Sequence, residues 1–131
     1  MSNKAKKSTI LLIEDDEDQI MMYRSKFELS GYSFVWSDEA QKGLDLAKKE
    51  RPDIILVDLL LKEVKVPTGF EILKKLKKQE ETKDIPVVIL TNYGTRQARE
   101  KGLKLGAEEF IIKSQVTPSK LVEKIKQILN K

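Results

Sequence analysis

The sequence predicts a doubly wound α/β domain, (βα)5, built around a five-stranded parallel sheet. Short apolar runs, typical of strands buried on both faces, alternate strictly with longer amphipathic stretches, typical of helices. This alternation indicates parallel strands joined by right-handed crossovers, with helices covering both faces of the sheet. The length of 131 residues suits one domain.

The first half of the chain contains three predicted strands and two predicted helices. Gly31 ends the first helix and Pro52 breaks the second, as these residue types commonly do. We expect Trp36 to lie in the core. In chain order the elements are a strand at Thr9–Ile13, a helix at Glu17–Ser30, a strand at Ser33–Trp36, a helix from an N-cap at Asp38 to about Glu50, and a strand at Asp53–Asp58.

The second half repeats the pattern after a loop at residues 61–68. Gly106 closes the fourth helix, and Pro118 suits the first turn of the fifth. In order the elements are a basic helix from Gly69 to near Glu81, a strand at Pro86–Leu90, a helix at Thr95–Leu105, a strand at Glu109–Ile112 and a helix from Pro118 that places Leu121, Ile125, Ile128 and Leu129 on one face. We expect a flexible basic N-terminus at residues 1–8, a single domain at 9–131, and no output domain.

Composition limits the chemistry that the chain can perform. With no cysteine and no histidine, disulfides, thiol catalysis and the usual zinc ligands are excluded. The net charge is +4, but basic and acidic residues are interspersed and aromatic residues are only 6%, which favours a solvated lysine-rich surface over nucleic-acid binding. Neither a signal peptide nor a membrane span is evident, so we expect a cytoplasmic protein.

Polar side chains appear abruptly where the apolar runs end. The first strand is followed by Glu14, Asp15 and Asp16, the third ends at Asp58, and the fourth and fifth lead into Thr91 and Lys113, respectively. Singly, each could be a cap, turn or surface residue. A parallel sheet brings all these strand ends to one edge, where sites of doubly wound folds form. Clustered carboxylates repel each other and need a cation, and oxygen ligands suit Mg²⁺.

These segments together resemble the receiver domain of bacterial and archaeal two-component response regulators, of the stand-alone, chemotaxis-regulator-like kind. The resemblance covers about residues 9–129 and implies a flavodoxin-like sheet with strand order 2-1-3-4-5. The ordered set, with one motif at each strand end, is much more specific than any single motif. The segments are Leu11–Asp16, the strand ending at Asp58, Val88–Thr91 and Phe110–Lys113.

The resemblance assigns a phosphoacceptor and a metal site. Asp58 is similar to the residue that accepts a phosphoryl group in the family. Asp15 is similar to the direct ligand of Mg²⁺, or of Mn²⁺ in its place, and Glu14 to a ligand acting through water. Asp58 and the backbone carbonyl of Leu60 complete the implied set. Asp16 matches no metal position, and we interpret it as a helix cap.

The resemblance also implies a switch and partners. Lys113 would pair with the phosphoryl oxygens, Thr91 would move to give its hydroxyl to them, and Phe110 matches an aromatic rotamer switch. The donor would be a sensor histidine kinase or phosphotransfer protein, and the output partner is unknown. Such a domain is not an enzyme acting on other molecules, because it assists only its own phosphorylation and dephosphorylation.

Three features depart from the family pattern. Ser114 replaces the proline that usually follows the lysine, and a cis bond without proline costs about 2.5–4 kcal/mol, which favours a trans bond. The loop after Asp58 is about three residues longer than usual. Asn92 replaces a small residue. In addition, Leu60 and Tyr93, two residues past Asp58 and Thr91, are bulky and poor at orienting water, which predicts a long-lived phosphorylated form.

Three other functions remain open from the sequence. A receiver-like interaction module that works without phosphorylation is the main alternative. A hydrolase with Asp58 as nucleophile is disfavoured, because Leu60 stands where aspartyl phosphatases carry a second aspartate. Direct nucleic-acid binding would use lysines on predicted helix faces, namely Lys48, Lys49, Lys74, Lys75, Lys77 and Lys78.

Overall fold

The computed structural model describes residues 7–61 and 68–130, which form five strands and five α-helices. Most of the predicted basic N-terminus (1–6) and of the predicted 61–68 loop (62–67) lies outside the described residues, as does residue 131. The elements are β1 Thr9–Ile13, α1 Glu17–Leu29, β2 Ser33–Ser37, α2 Ala40–Glu50, β3 Ile54–Val57, α3 Gly69–Lys78, β4 Val87–Thr91, α4 Arg96–Lys104, β5 Glu109–Ile112 and α5 Pro118–Leu129.

All strand pairs are parallel, and the strand order is β2-β1-β3-β4-β5, as the resemblance implied. The central pairing aligns Ile13 with Val57, the last residues of β1 and β3. The residues that follow them, Glu14 and Asp58, therefore leave the sheet side by side. β4 continues the row, with Val57 opposite Ile89. The register therefore gathers the polar strand ends at one edge of the sheet.

Two apolar cores cover the two faces of the sheet, because successive strand residues point to opposite sides. In β1, Ile10 and Leu12 pack under α1 and α5, whereas Leu11 and Ile13 pack under α2, α3 and α4. Strands buried on both faces lack polar alternation, which is why the apolar runs located them correctly in the sequence.

Helix starts follow local capping chemistry. The side chain of Asp16 accepts a hydrogen bond from the Gln19 N–H at 3.0 Å, which confirms its interpretation as a cap. The prediction for Asp38 was wrong, because α2 has Glu39 at its N-cap. The Ser37 hydroxyl donates to the Glu39 carbonyl at 2.9 Å and accepts from the Glu39 N–H at 3.2 Å, closing a turn that delays the helix.

Trp36 is the second correction. We expected it in the core, but 37% of its surface is exposed. It lies near the end of β2, an edge strand of the sheet. Its ring stacks near Phe34 on one side and carries the Arg24 guanidinium 4.8 Å from its centroid, so it is half-covered by α1 rather than enclosed.

α3 ends at Lys78, three residues before the predicted end. A buried hydroxyl explains this early stop, since Thr82 donates to the Leu76 carbonyl at 2.7 Å and thereby satisfies a group that the last helical turn leaves unpaired. None of the helices within residues 7–61 and 68–130 has the length and apolar character needed to cross a bilayer.

The first residue of α3, Gly69, packs closely against the backbone that follows β3. A Cβ on Gly69 would lie 2.6 Å from the Asp58 carbonyl oxygen and 2.7 Å from the Leu59 Cα, both backbone atoms that cannot rotate away. We expect Gly69→Ala to reduce the free energy of unfolding by about 1–3 kcal/mol, measured by urea denaturation.

Gly102→Ala is the matched control. Its added Cβ would meet the Ile89 Cδ1 at 2.5 Å, the mobile tip of a side chain, and alanine favours a helix interior over glycine by about 1 kcal/mol. The control should be close to neutral. Equal losses of unfolding free energy in the two variants would show that the close backbone contact at Gly69 does not destabilise Gly69→Ala more than a side-chain contact does.

Candidate functional site

A cavity of about 300 Å³ opens at the edge of the sheet where the strands end. It collects six of the seven residues that the sequence analysis proposed for the site. Phe110 is the exception, since it lies in the core. The lining residues are Glu14, Asp15, Asp16, Gln19, Asp58, Leu60, Thr91, Asn92, Tyr93 and Lys113.

Asp58 and Glu14 are the two buried acids of the cavity, with 6% and 2% of their surface exposed, respectively. Its backbone N–H donates to the Ile13 carbonyl at 3.1 Å, continuing the sheet. Its Oδ1 accepts the Thr91 hydroxyl at 2.6 Å and the Leu60 N–H at 3.1 Å. The carboxylate is thus fixed in orientation by donors from β4 and from its own loop.

Lys113 reaches the same carboxylate from the other side. Its Nζ donates to Asp58 Oδ2 at 2.7 Å, to Gln19 Oε1 at 2.5 Å, and to Glu14 Oε1. Both oxygens of Asp58 are therefore occupied. No peptide bond in the described residues is cis. The Lys113–Ser114 bond is therefore trans, and the Lys113 side chain contacts Asp58 with this bond trans.

Burial and pairing compete in setting the charge states. Burial alone lowers the pKa of Lys113, but its hydrogen bonds to Asp58 and Glu14 and their charges outweigh this effect, so the pKa lies above its ordinary 10.5. Its contribution to stability is therefore present below pH 10.5 and is lost as pH rises through the higher folded-state value.

Glu14 shows the opposite balance. Burial raises its pKa above the ordinary 4.5, and the hydrogen bond and charge of Lys113 only partly reverse the rise. Ionised Glu14 is consequently costly in the folded protein, and Lys113 reduces that cost.

Thr91 is fully buried, and its hydroxyl has two partners. It donates to Asp58 and accepts the Tyr93 N–H at 3.1 Å. The resemblance implied that Thr91 gives its hydroxyl to the phosphoryl group once that group arrives, and in this structure the hydroxyl contacts the Asp58 carboxylate itself. Phe110 lies in the core on the side of α2, α3 and α4, and its carbonyl accepts from Arg99 at 3.3 Å.

The donor set suits a hard divalent cation only in part. Glu14, Asp15, Asp58 and Leu60 all line the cavity and offer oxygen atoms alone, the ligands that Mg²⁺ and Mn²⁺ prefer. The expected cluster of three carboxylates is not assembled, since no group of three or more His, Cys, Asp or Glu side chains among residues 7–61 and 68–130 could hold a metal. The Lys113 ammonium group lies between Glu14 and Asp58 and pairs with both. Because Mg²⁺ can be held in proteins by one or two carboxylates together with water, the remaining oxygen ligands still suit it.

Sequence reasoning missed Gln19 and the contact between Asn92 and Ser114. Gln19 lies in the first turn of α1, directly after five consecutive acidic residues, and gave no pattern of its own. Asn92 and Ser114 each looked unusual singly, but the Ser114 N–H donates to Asn92 Oδ1 at 3.0 Å. Only the fold places these residues together, 22 positions apart in sequence.

The fold and the polar strand ends agree with what sequence comparison finds. Residues 10–126 match the response regulator receiver domain, and the chain belongs to this family. Among its relatives, the polar-differentiation response regulator DivK of Brucella anthropi is 34% identical over 121 residues, which span 92% of this chain and 95% of that protein.

Solved structures show the same similarity. A putative response regulator from Chloroflexus aurantiacus superposes with a TM-score of 0.85 at 27% identity, covering 96% of this chain and 100% of that one. A CheY-like receiver domain protein from Methanospirillum hungatei also gives 0.85 at 27% identity, covering 95% of each chain. The predicted family and topology are both confirmed.

The contacts of Lys113 predict a large effect of removing its charge. Lys113→Met would leave the carboxylates of Glu14 and Asp58 buried without their shared cation, so we expect a loss of about 3–5 kcal/mol in the free energy of unfolding at pH 7. The control is Lys124→Met, since Lys124 pairs with Glu109 at an exposed 3.4 Å contact, worth about 0–1 kcal/mol.

The loss in Lys113→Met should shrink on acidification. Without Lys113, the pKa of Glu14 rises further above 4.5, and a carboxyl group with a raised folded-state pKa favours folding once it is protonated. Urea denaturation from pH 7 down to pH 5 should therefore show wild type and variant converging. A gap that is constant across this range would contradict the assignment.

Proposed function

We propose that this receiver domain accepts a phosphoryl group on Asp58, in a reaction that depends on Mg²⁺ or Mn²⁺, and that the added charge switches a protein-binding surface. The observation that carries the proposal is the environment of the Asp58 carboxylate. Hydrogen bonds from Thr91 and Leu60 orient one oxygen, and Lys113 pairs with the other.

The chemistry follows from this arrangement. A carboxylate oxygen of Asp58 attacks the phosphorus of a phosphohistidine. The new O–P bond forms as the N–P bond breaks, and the imidazole nitrogen keeps the electron pair of the broken bond. Because the chain contains no histidine, the donor must be another protein, and we propose a sensor histidine kinase or a phosphotransfer protein.

The residues around Asp58 have different roles in the proposed phosphoryl transfer. Lys113 offsets the repulsion between the carboxylate and the incoming phosphoryl oxygens. Glu14, Asp15, Asp58 and the Leu60 carbonyl would hold the metal ion, which when bound supplies positive charge to those oxygens. The oxygen atoms that these four residues bring to the cavity support this assignment.

The switch would start at Thr91. A phosphoryl group carries a charge of about −1.5 to −2 at neutral pH, so it competes for the Thr91 hydroxyl that now contacts Asp58. The same hydroxyl accepts the Tyr93 N–H, so a change there reaches the segment before α4. In our proposal Phe110 responds to this movement, and an output protein reads the altered surface.

Intact-mass measurement tests the acceptor. Incubation with acetyl phosphate and Mg²⁺ should add about 80 Da, one phosphoryl group, to wild type and nothing to Asp58→Asn. Asp53→Asn is the matched control, because Asp53 lies at the opposite end of β3 and caps the Thr9 N–H at 2.7 Å. It should be labelled like wild type. No gain in wild type would favour the module that works without phosphorylation.

The lifetime of the phosphorylated form is a separate prediction. Leu60 and Tyr93 both line the cavity, and neither side chain suits the orientation of an attacking water. We expect the phosphorylated form to persist for minutes or longer, followed by mass after removal of the donor, and Leu60→Asn to shorten that time. A wild-type half-life of seconds would contradict the prediction.

A further inference from the structure

We propose that Gln19 and Asn92 are positioning residues for Lys113, with Gln19 holding its ammonium group and Asn92 holding its backbone. The inference rests on the proposed function, because Lys113 is the residue expected to meet the incoming phosphoryl oxygens. Neither Gln19 nor Asn92 has a role in the chemistry described above.

The contact of Gln19 completes the coordination of the ammonium. A lysine ammonium has three donors, and here they are directed to Glu14 Oε1, Asp58 Oδ2 and Gln19 Oε1. The third acceptor is neutral. It therefore satisfies the last donor without adding another negative charge to a site that already buries two carboxylates.

The three partners of Lys113 would have different roles during phosphorylation. Asp58 must turn an oxygen towards phosphorus, and Glu14 belongs to the proposed metal set. Gln19 has neither duty, so its contact with Lys113 can persist through the reaction. A misplacement of a reacting group by about 1 Å can lower the reaction rate roughly 100-fold. A partner that keeps the Lys113 ammonium group in place would therefore raise the rate of phosphorylation.

Asn92 acts at the other end of the same residue. Lys113 begins a short 3₁₀ turn, Lys113–Gln115, and the N–H of Ser114 donates to Asn92 Oδ1 at 3.0 Å. Asn92 directly follows Thr91, whose hydroxyl contacts Asp58. This one hydrogen bond thus joins the two chain segments that supply the Thr91 and Lys113 contacts on the two oxygens of Asp58.

The first experiment observes Lys113 without metal or phosphodonor. Ammonium resonances of ¹⁵N-labelled protein report whether the Lys113 Nζ protons are protected from exchange. We expect a protected signal, assigned by its loss in Lys113→Met, in wild type and its loss in Gln19→Leu. The control, Gln41→Leu, removes a glutamine that contacts Asp45 at the surface and should leave the signal unchanged.

The second experiment measures the phosphorylation rate with acetyl phosphate as donor. Gln19→Leu and Asn92→Ala should each lower the rate at saturating donor by about 10-fold, as loss of outer contacts commonly does, with little change in the donor concentration for half-maximal rate. Asn92→Gln keeps a neutral amide oxygen as acceptor and should restore part of the rate.

A double-mutant cycle tests the link between Asn92 and Ser114. Ser114→Pro removes the donor N–H, so it and Asn92→Ala should lower the phosphorylation rate and the free energy of unfolding together, and the double variant should lose no more than the worse single variant. Additive losses would overturn the role of Asn92.

The outcomes separate this inference from the proposed function. If wild type gains no phosphoryl group, the proposed function fails, while the ammonium signal and the unfolding cycle still decide the positioning roles. If Gln19→Leu slows phosphorylation but leaves the Lys113 signal protected, the positioning role of Gln19 is overturned, because the residue then acts on the donor directly.

Discussion

The Lys113 ammonium between two buried carboxylates is the interaction on which the site depends. Glu14 and Asp58 leave adjacent parallel strands side by side, so the fold itself creates their repulsion. Water cannot offset it fully, because both groups are nearly enclosed. A cation must therefore come from the protein or from solution, and in this structure Lys113, directly after β5, supplies it.

This arrangement explains how an acidic edge can exist before any ligand arrives. The buried charges of Glu14, Asp58 and Lys113 sum to −1, which is a moderate excess, and the other two acids of the cavity, Asp15 and Asp16, are only half-buried. Lys113 is also a long flexible side chain, so it can follow a new anion without a change of backbone. Stability and readiness for an anion thus come from the same contacts, which is why neutral partners of Lys113 matter.

Much of the fold was predictable because its signals are local. Short apolar runs such as Thr9–Ile13 are typical of strands buried on both faces, and Asp16 caps a helix within three residues of itself. The strand ends gave the candidate acids, and the resemblance gave their roles. Trp36 escaped prediction because an apolar residue on an edge strand reads like one in a central strand.

The contacts that were not predictable join distant segments through side-chain geometry. Gln19 lies 94 positions from Lys113, and no spacing rule connects an amide in the first turn of α1 with a lysine after β5. Asn92 and Ser114 looked like two unrelated departures from the family pattern. The fold joins them in one hydrogen bond that needs the N–H which a proline would lack, so each departure supplies the other's partner.

The hydrogen bonds at Thr91 connect the Asp58 carboxylate with the segment before α4, where the proposed switch would act. One buried hydroxyl donates to Asp58 and accepts from the Tyr93 backbone, so the Asp58 carboxylate and the segment before α4 contact the same atom. A ligand shifts a conformational equilibrium only by interacting differently with the two states. A charge on Asp58 meets this condition at Thr91 without any long relay, because Tyr93, two residues further on, is already at the surface with 37% of its area exposed.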